Sequence, residues 1–258
     1  MLKDTTINKE EVKKFSALAE QWWDESGKFK PLHDINPIRI KFIKDHIIKH
    51  FKINTLNTKP LENLKLLDIG CGGGLLSVPM TRLGAFVTGI DPSEKNIKIA
   101  KQYVYENKLK TNFKCSSVQD LIRGQHEKFD IILNMEVVEH VDNIETFLLE
   151  SSKLLKKNGI MFISTINKTI KSLLQAKFIA EYILRWLPVG THEWKKFIKP
   201  EELIHIMSKA QLEVLDIAGV KYSMINKTWY LSDNVDVNYM ICFKMADKLI
   251  NSKQKNRL

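Results

Sequence analysis

Cysteine is scarce. The chain holds three in 258 residues, Cys71, Cys115 and Cys242, far apart and without the paired spacing of a metal site. That excludes a disulfide scaffold and a zinc ribbon, and suits a reducing cytosol; Cys71 reads as a small turn residue rather than a nucleophile. No apolar run approaches the roughly 20 residues that a membrane-spanning helix needs. The start, Met1-Leu2-Lys3-Asp4, has neither the apolar stretch of a secretory signal nor the arginines of a transit peptide, so no targeting segment is expected. No internal repeat is visible. Acidic residues are outnumbered, giving a formal charge of +10, but the lysines are spread along a chain rich in Lys, Ile and Asn throughout. Such a composition produces the surplus without a partner. No RNA-binding signature and no aromatic-interleaved basic stripe accompanies it, so no nucleic acid is expected. The hydrophobic share of 44% and charged share of 27% are those of an ordinary soluble protein, long enough for one large α/β domain.

Periodicity orders the rest. Residues 10–23 have helical spacing, with Val12, Phe15, Leu18, Ala19 and Trp22 on one face, and the stretch 27–31 breaks it. Pro37 suits a first helical turn, predicting a second helix over 38–51. After a polar linker, strands are expected at 64–68, 86–90, 111–115, 129–134 and 160–165, with helices at 75–82, 92–107 and 144–155. That alternation predicts a mostly parallel sheet with right-handed crossovers and helices on both faces. Beyond it lie helical segments at 168–186 and 200–210 and strands near 212–217 and 237–243.

The most informative stretch is Leu67-Asp68-Ile69-Gly70-Cys71-Gly72-Gly73-Gly74, an apolar strand running into a glycine-dense turn. The next strand ends at Asp91. Strand, turn, helix and acid together hold an adenosine-type cofactor: glycines admit it, helix N–H groups face it, and a carboxylate accepts from ribose hydroxyls. A dinucleotide fingerprint would put a small residue where this chain has Leu75, and no arginine follows Asp91 to take a 2′-phosphate. The pattern D-x-G-x-G-x-G instead resembles motif I of the class I S-adenosylmethionine-dependent methyltransferases. Asp68, Gly70, Gly72 and Asp91 are therefore candidate cofactor residues, placed at the carboxyl ends of the strands.

After the fourth strand stands Met135-Glu136-Val137-Val138-Glu139-His140. With Glu139 and His140 on a first helical turn, Glu136 lies three and four residues away, so two carboxylates and an imidazole reach one point. Two oxygens and a nitrogen suit a divalent cation such as Mg²⁺. Spacing alone leaves open a helix-capping role for the same residues. His140 as general base is a separate reading.

The chain resembles the ubiquinone biosynthesis O-methyltransferases from about residue 10 to 243. The resemblance is carried by Gln21-Trp22-Trp23-Asp24, Pro31-Leu32-His33, Asn36-Pro37-Ile38-Arg39, the strand-four segment above, Gly190-Thr191-His192 and Val237-Asn238-Tyr239-Met240. It implies a Rossmann-like class I fold: a seven-stranded sheet, mostly parallel, with an antiparallel last strand and an N-terminal helical lid. It implies cofactor contacts at Arg39, Gly70, Asp91 and Met135, and a divalent metal, Mg²⁺ first, at Glu136, Glu139 and His140. The implied reaction moves a methyl group from S-adenosyl-L-methionine to a catechol hydroxyl of a polyprenylated ubiquinone precursor. His140 or His192 accepts the proton.

One domain over 1–258 is expected. Its parts are a lid (1–55), a cofactor core (60–165), a substrate- and membrane-facing insertion (166–210), C-terminal strands (211–245) and a tail (246–258). The insertion carries a broad apolar face with Lys168, Lys171, Lys177, Arg185 and Trp186, suited to an anionic membrane surface or to packing on the enzyme's own core or a second subunit; the bilayer-dwelling substrate favours the membrane. The expected location is cytoplasmic, peripheral to the inner membrane of a bacterium, with membership of a biosynthetic complex as a further expectation. Competing readings are an RNA- or protein-modifying methyltransferase and a non-catalytic adenosine-binding regulator.

Overall fold

The computed structural model describes residues 6–54, 56–169, 196–223, 225–226 and 228–246. Its centre is one eight-stranded sheet in the order β3-β2-β1-β4-β5-β8-β6-β7. The strands are β1 (Lys65–Ile69), β2 (Phe86–Asp91), β3 (Asn112–Cys115), β4 (Phe129–Met135), β5 (Leu155–Ile166), β6 (Leu212–Ser223), β7 (Thr228–Ser232) and β8 (Asn238–Met245). Strands β1 to β5 run parallel in four pairs, β8 is antiparallel to both β5 and β6, and β7 is antiparallel to β6. The order reverses between β1 and β4, so the strand ends diverge there and open a crevice.

Burial on both faces explains the unbroken apolar strands. Leu67 and Ile132 point into a cluster with Phe147, Leu148 and Leu203 on one side. Their neighbours Leu66 and Ile131 point into a second cluster with Phe42, Ile43 and Ile47 on the other. The first side is covered by helices α5 (Val118–Arg123), α6 (Ile144–Lys153) and α7 (Pro200–Lys209). The second is covered by α2 (Lys30–His50) and α3 (Ser77–Arg82). The remaining α-helices among the described residues are α1 (Lys9–Ser16) and α4 (Glu94–Glu106), capped by Asn8 and Ser93.

Five expectations need correction. The sheet has eight strands, not seven, because Thr228-Trp229-Tyr230-Leu231-Ser232 closes a hairpin on β6 at the sheet edge. Helix α2 begins at Lys30 rather than after Pro37: Pro31 occupies its first turn and Pro37 lies inside. The missing N–H of Pro37 is tolerated because Ile35, Phe42, Ile43 and Ile47 hold one face of the helix in the core. The first helix stops at Ser16, and a 3-10 turn, Ala19–Gln21, redirects the chain toward the glycine bend. Helix α5 was not anticipated, although Ser117 and Asp120 form a capping box at its start. β5 also starts earlier than expected, with residues 156–159 bulging between the pairs Phe129–Leu155 and Ile131–Ile160. The helix expected at 168–186 lies outside the described residues except for Lys168 and Thr169.

Candidate active site

Strand β1 turns sharply as it leaves the sheet. Gly70 and Gly72 have φ of +67° and +53°, a left-handed backbone that costs glycine little. A Cβ on Gly72 would also lie 2.4 Å from the Trp22 ring, and one on Gly70 would lie 2.7 Å from Val137. Side chains here would clash with the segments that roof the bend. Asp68, two residues before Gly70, is buried and accepts the Ser77 hydroxyl at 2.6 Å, tying the bend to the first residue of α3. Burial, reinforced by the charge of Asp91, pushes the Asp68 carboxyl up to about 7 against the Ser77 bond.

Asp91 ends β2 beside the bend. Its Oδ2 accepts from the Gly72 N–H at 3.0 Å, and its Oδ1 from the Ser93 N–H at 2.8 Å and Asn96 Nδ2 at 3.2 Å. Three donors fix the carboxylate's orientation and leave acceptor capacity for further hydroxyls. Burial raises its pKa, and the bonds from Ser93, Gly72 and Asn96 oppose that rise. Asn96 also accepts from Trp22 Nε1 at 3.0 Å, linking the acid to the N-terminal segment. Trp22 stacks on Phe29 at 3.8 Å, and Trp23 stacks on Tyr103 while its Nε1 donates to Gly73 O at 3.0 Å. The double tryptophan of the N-terminal segment is laid on the glycines of the bend.

Across the cavity, Met135 closes β4 and is buried against the cavity wall. The next residue, Glu136, has φ +56°, a conformation costly for a side chain that bears a Cβ. It is held there by Ser164, which accepts the Glu136 N–H at 3.1 Å and donates to its Oε1 at 2.6 Å. Arg39 from α2 pairs with the same oxygen at 2.8 Å; this guanidinium is buried and its Nε has no hydrogen-bond partner. Periodicity files such an arginine as a solvated helix charge; only the resemblance singled it out.

Glu139 and His140 follow on a 3-10 turn, Val138–His140, not an α-helix. Glu139 is buried, its Oε2 accepts from Thr165 Oγ1 at 3.0 Å, and its Oε1 is unpartnered. Burial and the charge of Glu136 both push its pKa up. His140 Nδ1 lies 2.9 Å from Glu11 Oε2, and Phe15 meets the ring edge-on at 5.0 Å. Burial alone would lower the imidazole's pKa, but the bond to Glu11 and the carboxylates of Glu139, Glu11 and Glu136 outweigh it and raise it. The bond from His140 holds Glu11 down at about 2 against burial, with Lys14 helping at 2.8 Å.

The three expected metal ligands thus influence one another's ionisation without converging as ligands. Among the described residues no three His, Cys, Asp or Glu side chains are gathered to hold a metal ion. The reason is local: Arg39 and Ser164 hold Glu136, Thr165 holds one oxygen of Glu139, and Glu11 holds His140. Two features still suit a hard divalent cation, the oxygen-rich donor set and the orphaned, buried Oε1 of Glu139. His192 lies outside the described residues.

The sequence reading missed Glu11, Asn96 and Ser164. Only Glu11 carried a signal: an acid spaced i, i+4 from Phe15 and i, i+7 from Leu18, on the apolar face of α1. Gly70, Gly72 and Asp91 line one cavity of about 350 Å³ together with Arg39, Glu136 and His140. That volume is within the range of small-molecule sites.

Comparison with known proteins agrees with this geometry. A methyltransferase-domain family profile matches residues 42–217. A ubiquinone biosynthesis O-methyltransferase of Pelagibacter ubique (strain HTCC1062) is 57% identical over 238 residues, covering 92% of this chain and 98% of its own. One of the same description from Bartonella quintana (strain Toulouse) is 47% identical, covering 93% and 97%. Among solved structures, an S-adenosylmethionine-dependent methyltransferase of Clostridium acetobutylicum superposes with TM-score 0.59 at 15% identity, covering 85% of this chain and 98% of that one. A magnesium protoporphyrin IX methyltransferase of Synechocystis PCC 6803, with bound S-adenosylhomocysteine, gives 0.57 at 19%, covering 82% and 85%. At such identities the structural likeness speaks for the fold.

Proposed function

The chain belongs to the ubiquinone biosynthesis O-methyltransferases, and we propose that it transfers the methyl group of S-adenosylmethionine to a catechol hydroxyl of a polyprenylated ubiquinone precursor. The observation that carries this reading is Asp91, buried at the cavity's edge and oriented by Gly72, Ser93 and Asn96 to accept a ribose diol. Gly70 and Gly72 leave room for the donor's aminocarboxypropyl arm. In this reading the unpartnered Arg39 Nε would take the donor's carboxylate as a charge-assisted bond, and Met135, which lines the same cavity, would pack against the donor. Asp68 acts through Ser77, holding the bend on α3.

The sulfonium is already a strong electrophile, so the protein's work is alignment and removal of the hydroxyl proton. His140 takes that proton. Glu11 fixes the ring through Nδ1 and stabilises the imidazolium that forms, so the ring stays oriented as its charge changes. His192 is a second candidate for the same role. In the alternative in which Glu136, Glu139 and His140 hold a divalent cation, Mg²⁺ first, that ion would supply Lewis-acid stabilisation of the phenolate, and with His140 engaged as a ligand the proton would pass to His192. Trp22 and Trp23 keep water from the reacting atoms.

A polyprenyl substrate resides in a bilayer. The protein is therefore proposed to work in the bacterial cytoplasm, peripherally at the inner membrane, through the cationic apolar segment at 168–186, and with other enzymes of the pathway. No helix among the described residues is long and apolar enough to cross a membrane.

The test is product analysis with purified protein, S-adenosylmethionine and a prenylated catechol, with and without Mg²⁺ after chelation. A catechol monomethyl ether and S-adenosylhomocysteine in equal amounts support the reading, and loss of product on chelation with recovery on Mg²⁺ supports the cation. Methylation of RNA or protein alone, or donor binding with no turnover, overturns it.

A further inference from the structure

Strand β7 does more than extend the sheet. Trp229 lines the cavity and packs with Leu231, Val220 and Ala218 on the α2 side of the sheet. Register places Tyr222 opposite Trp229 and Val220 opposite Leu231. The alternation of strand side chains keeps these four on one face and sends Lys221 and Tyr230 to the other. The Tyr222 and Trp229 rings lie 5.3 Å apart, tilted at 60°. Exposure rises along this strip, from 4% at Val220 to 44% at Tyr222, and reaches 93% at Ile225 in the connection between the strands.

The face carrying Val220, Leu231, Trp229 and Tyr222 therefore runs from the cavity wall to the partly exposed Tyr222 ring, and the connection just beyond it holds the exposed Ile225. Hairpin connections ordinarily carry Gly, Asn or Asp, and a fully exposed isoleucine there gains nothing for folding. The neighbouring Asn226 donates its N–H to Ser223 Oγ and supplies the turn chemistry, so Ile225 is not needed for the turn.

We propose that this strip carries the isoprenoid tail of the substrate out of the cavity, with Trp229 at the junction of ring and tail. The proposal rests on the reading of the substrate as a prenylated catechol, and adds the residues that select it over a bare one. The occupant is a branched hydrocarbon chain. Each isoprene unit laid on Trp229, Tyr222 and Ile225 is removed from water, and binding gained there is spent on the prenylated substrate alone. The exposed end at Ile225 is where the tail returns to the lipid from which it came.

The experiment compares kcat/KM for one catechol ring without a tail and with a three-isoprene tail, at saturating S-adenosylmethionine. The variants are Tyr222→Ser with Ile225→Ser, and Trp229→Ala with Trp229→Phe as its conservative partner. The ratio of tailed to tailless kcat/KM is expected to fall about tenfold in the double variant through a higher KM, and at least as far in Trp229→Ala, with Trp229→Phe recovering most of it. Ile225 and Tyr222 stand outside the core, so a fall in the ratio cannot come from unfolding. An unchanged ratio in both sets, or equal losses on both substrates, overturns the proposal alone. Wild-type protein that methylates neither catechol overturns the substrate reading and this proposal with it.

Discussion

At the scale of single residues, the pair Glu11–His140 ties the N-terminal segment to the loop after β4. Its electrostatics set a pH window. Glu11 falls from an ordinary 4.5 to about 2, so its contribution is present above 4.5 and lost as pH falls through 2. His140 is raised above its ordinary 6.5, so its contribution is present below 6.5 and lost as pH rises through the raised value. The gain in melting temperature of the wild type over Glu11→Gln is therefore widest between about pH 5 and 6.5, worth on the order of 2 kcal/mol, and narrows on both sides. A difference that is constant from pH 4 to 9 would contradict this. Asp91 was legible because a strand ending in an acid beside a glycine turn has one common chemistry. The geometry after β4 was not: spacing suggested a helical turn, whereas Glu136 at φ +56° and a 3-10 turn send the side chains to separate partners. Glu11, distant in sequence from His140, could be paired with it only in three dimensions.

At the scale of elements, the lid and the glycine bend are fitted to each other. Gly72→Ala meets two penalties, a left-handed φ and a Cβ 2.4 Å from the Trp22 ring. It is expected to lower the melting temperature and weaken S-adenosylmethionine binding by about tenfold, the left-handed strain alone accounting for roughly 1 kcal/mol. Trp22→Ala in the same chain removes the clash and recovers part of the stability, leaving the backbone strain. Additive losses in the double variant, measured by calorimetry and thermal melts, would show that the ring and the bend do not meet. The parallel strands and α4, α6 and α7 could be read from periodicity because their burial is regular. β7 was overlooked although Trp229, Tyr230 and Thr228 are strand-forming types, because five residues at a sheet edge give little pattern. Pro37 misled for a simple reason: proline marks a helix start unless packing on both sides of it, here Ile35 and Phe42, holds the helix through it.

For the whole molecule, the sheet order brings every proposed cofactor residue of the described core to one rim, because parallel strands end together where their order reverses. This much followed from the alternation of elements. The substrate did not, since no single residue encodes a catechol with a tail; it came from segments spread along most of the chain and shared with relatives. The charge of +10 acquires a use if the enzyme meets an anionic bilayer. Sedimentation with vesicles containing anionic lipid is expected to retain the wild type at low salt. Retention should drop severalfold when Lys171, Lys177 and Arg185 become Glu, each near-surface cation being worth about 1 kcal/mol. Retention indifferent to these changes would remove the membrane from the account. The claim on which the rest depends is that Asp91 grips the ribose of S-adenosylmethionine at the glycine bend. It is tested most directly by titrating that donor calorimetrically into wild-type and Asp91→Ala protein of equal foldedness. Loss of two charge-assisted hydrogen bonds predicts an affinity about a hundredfold weaker or more; an unchanged affinity would contradict the account.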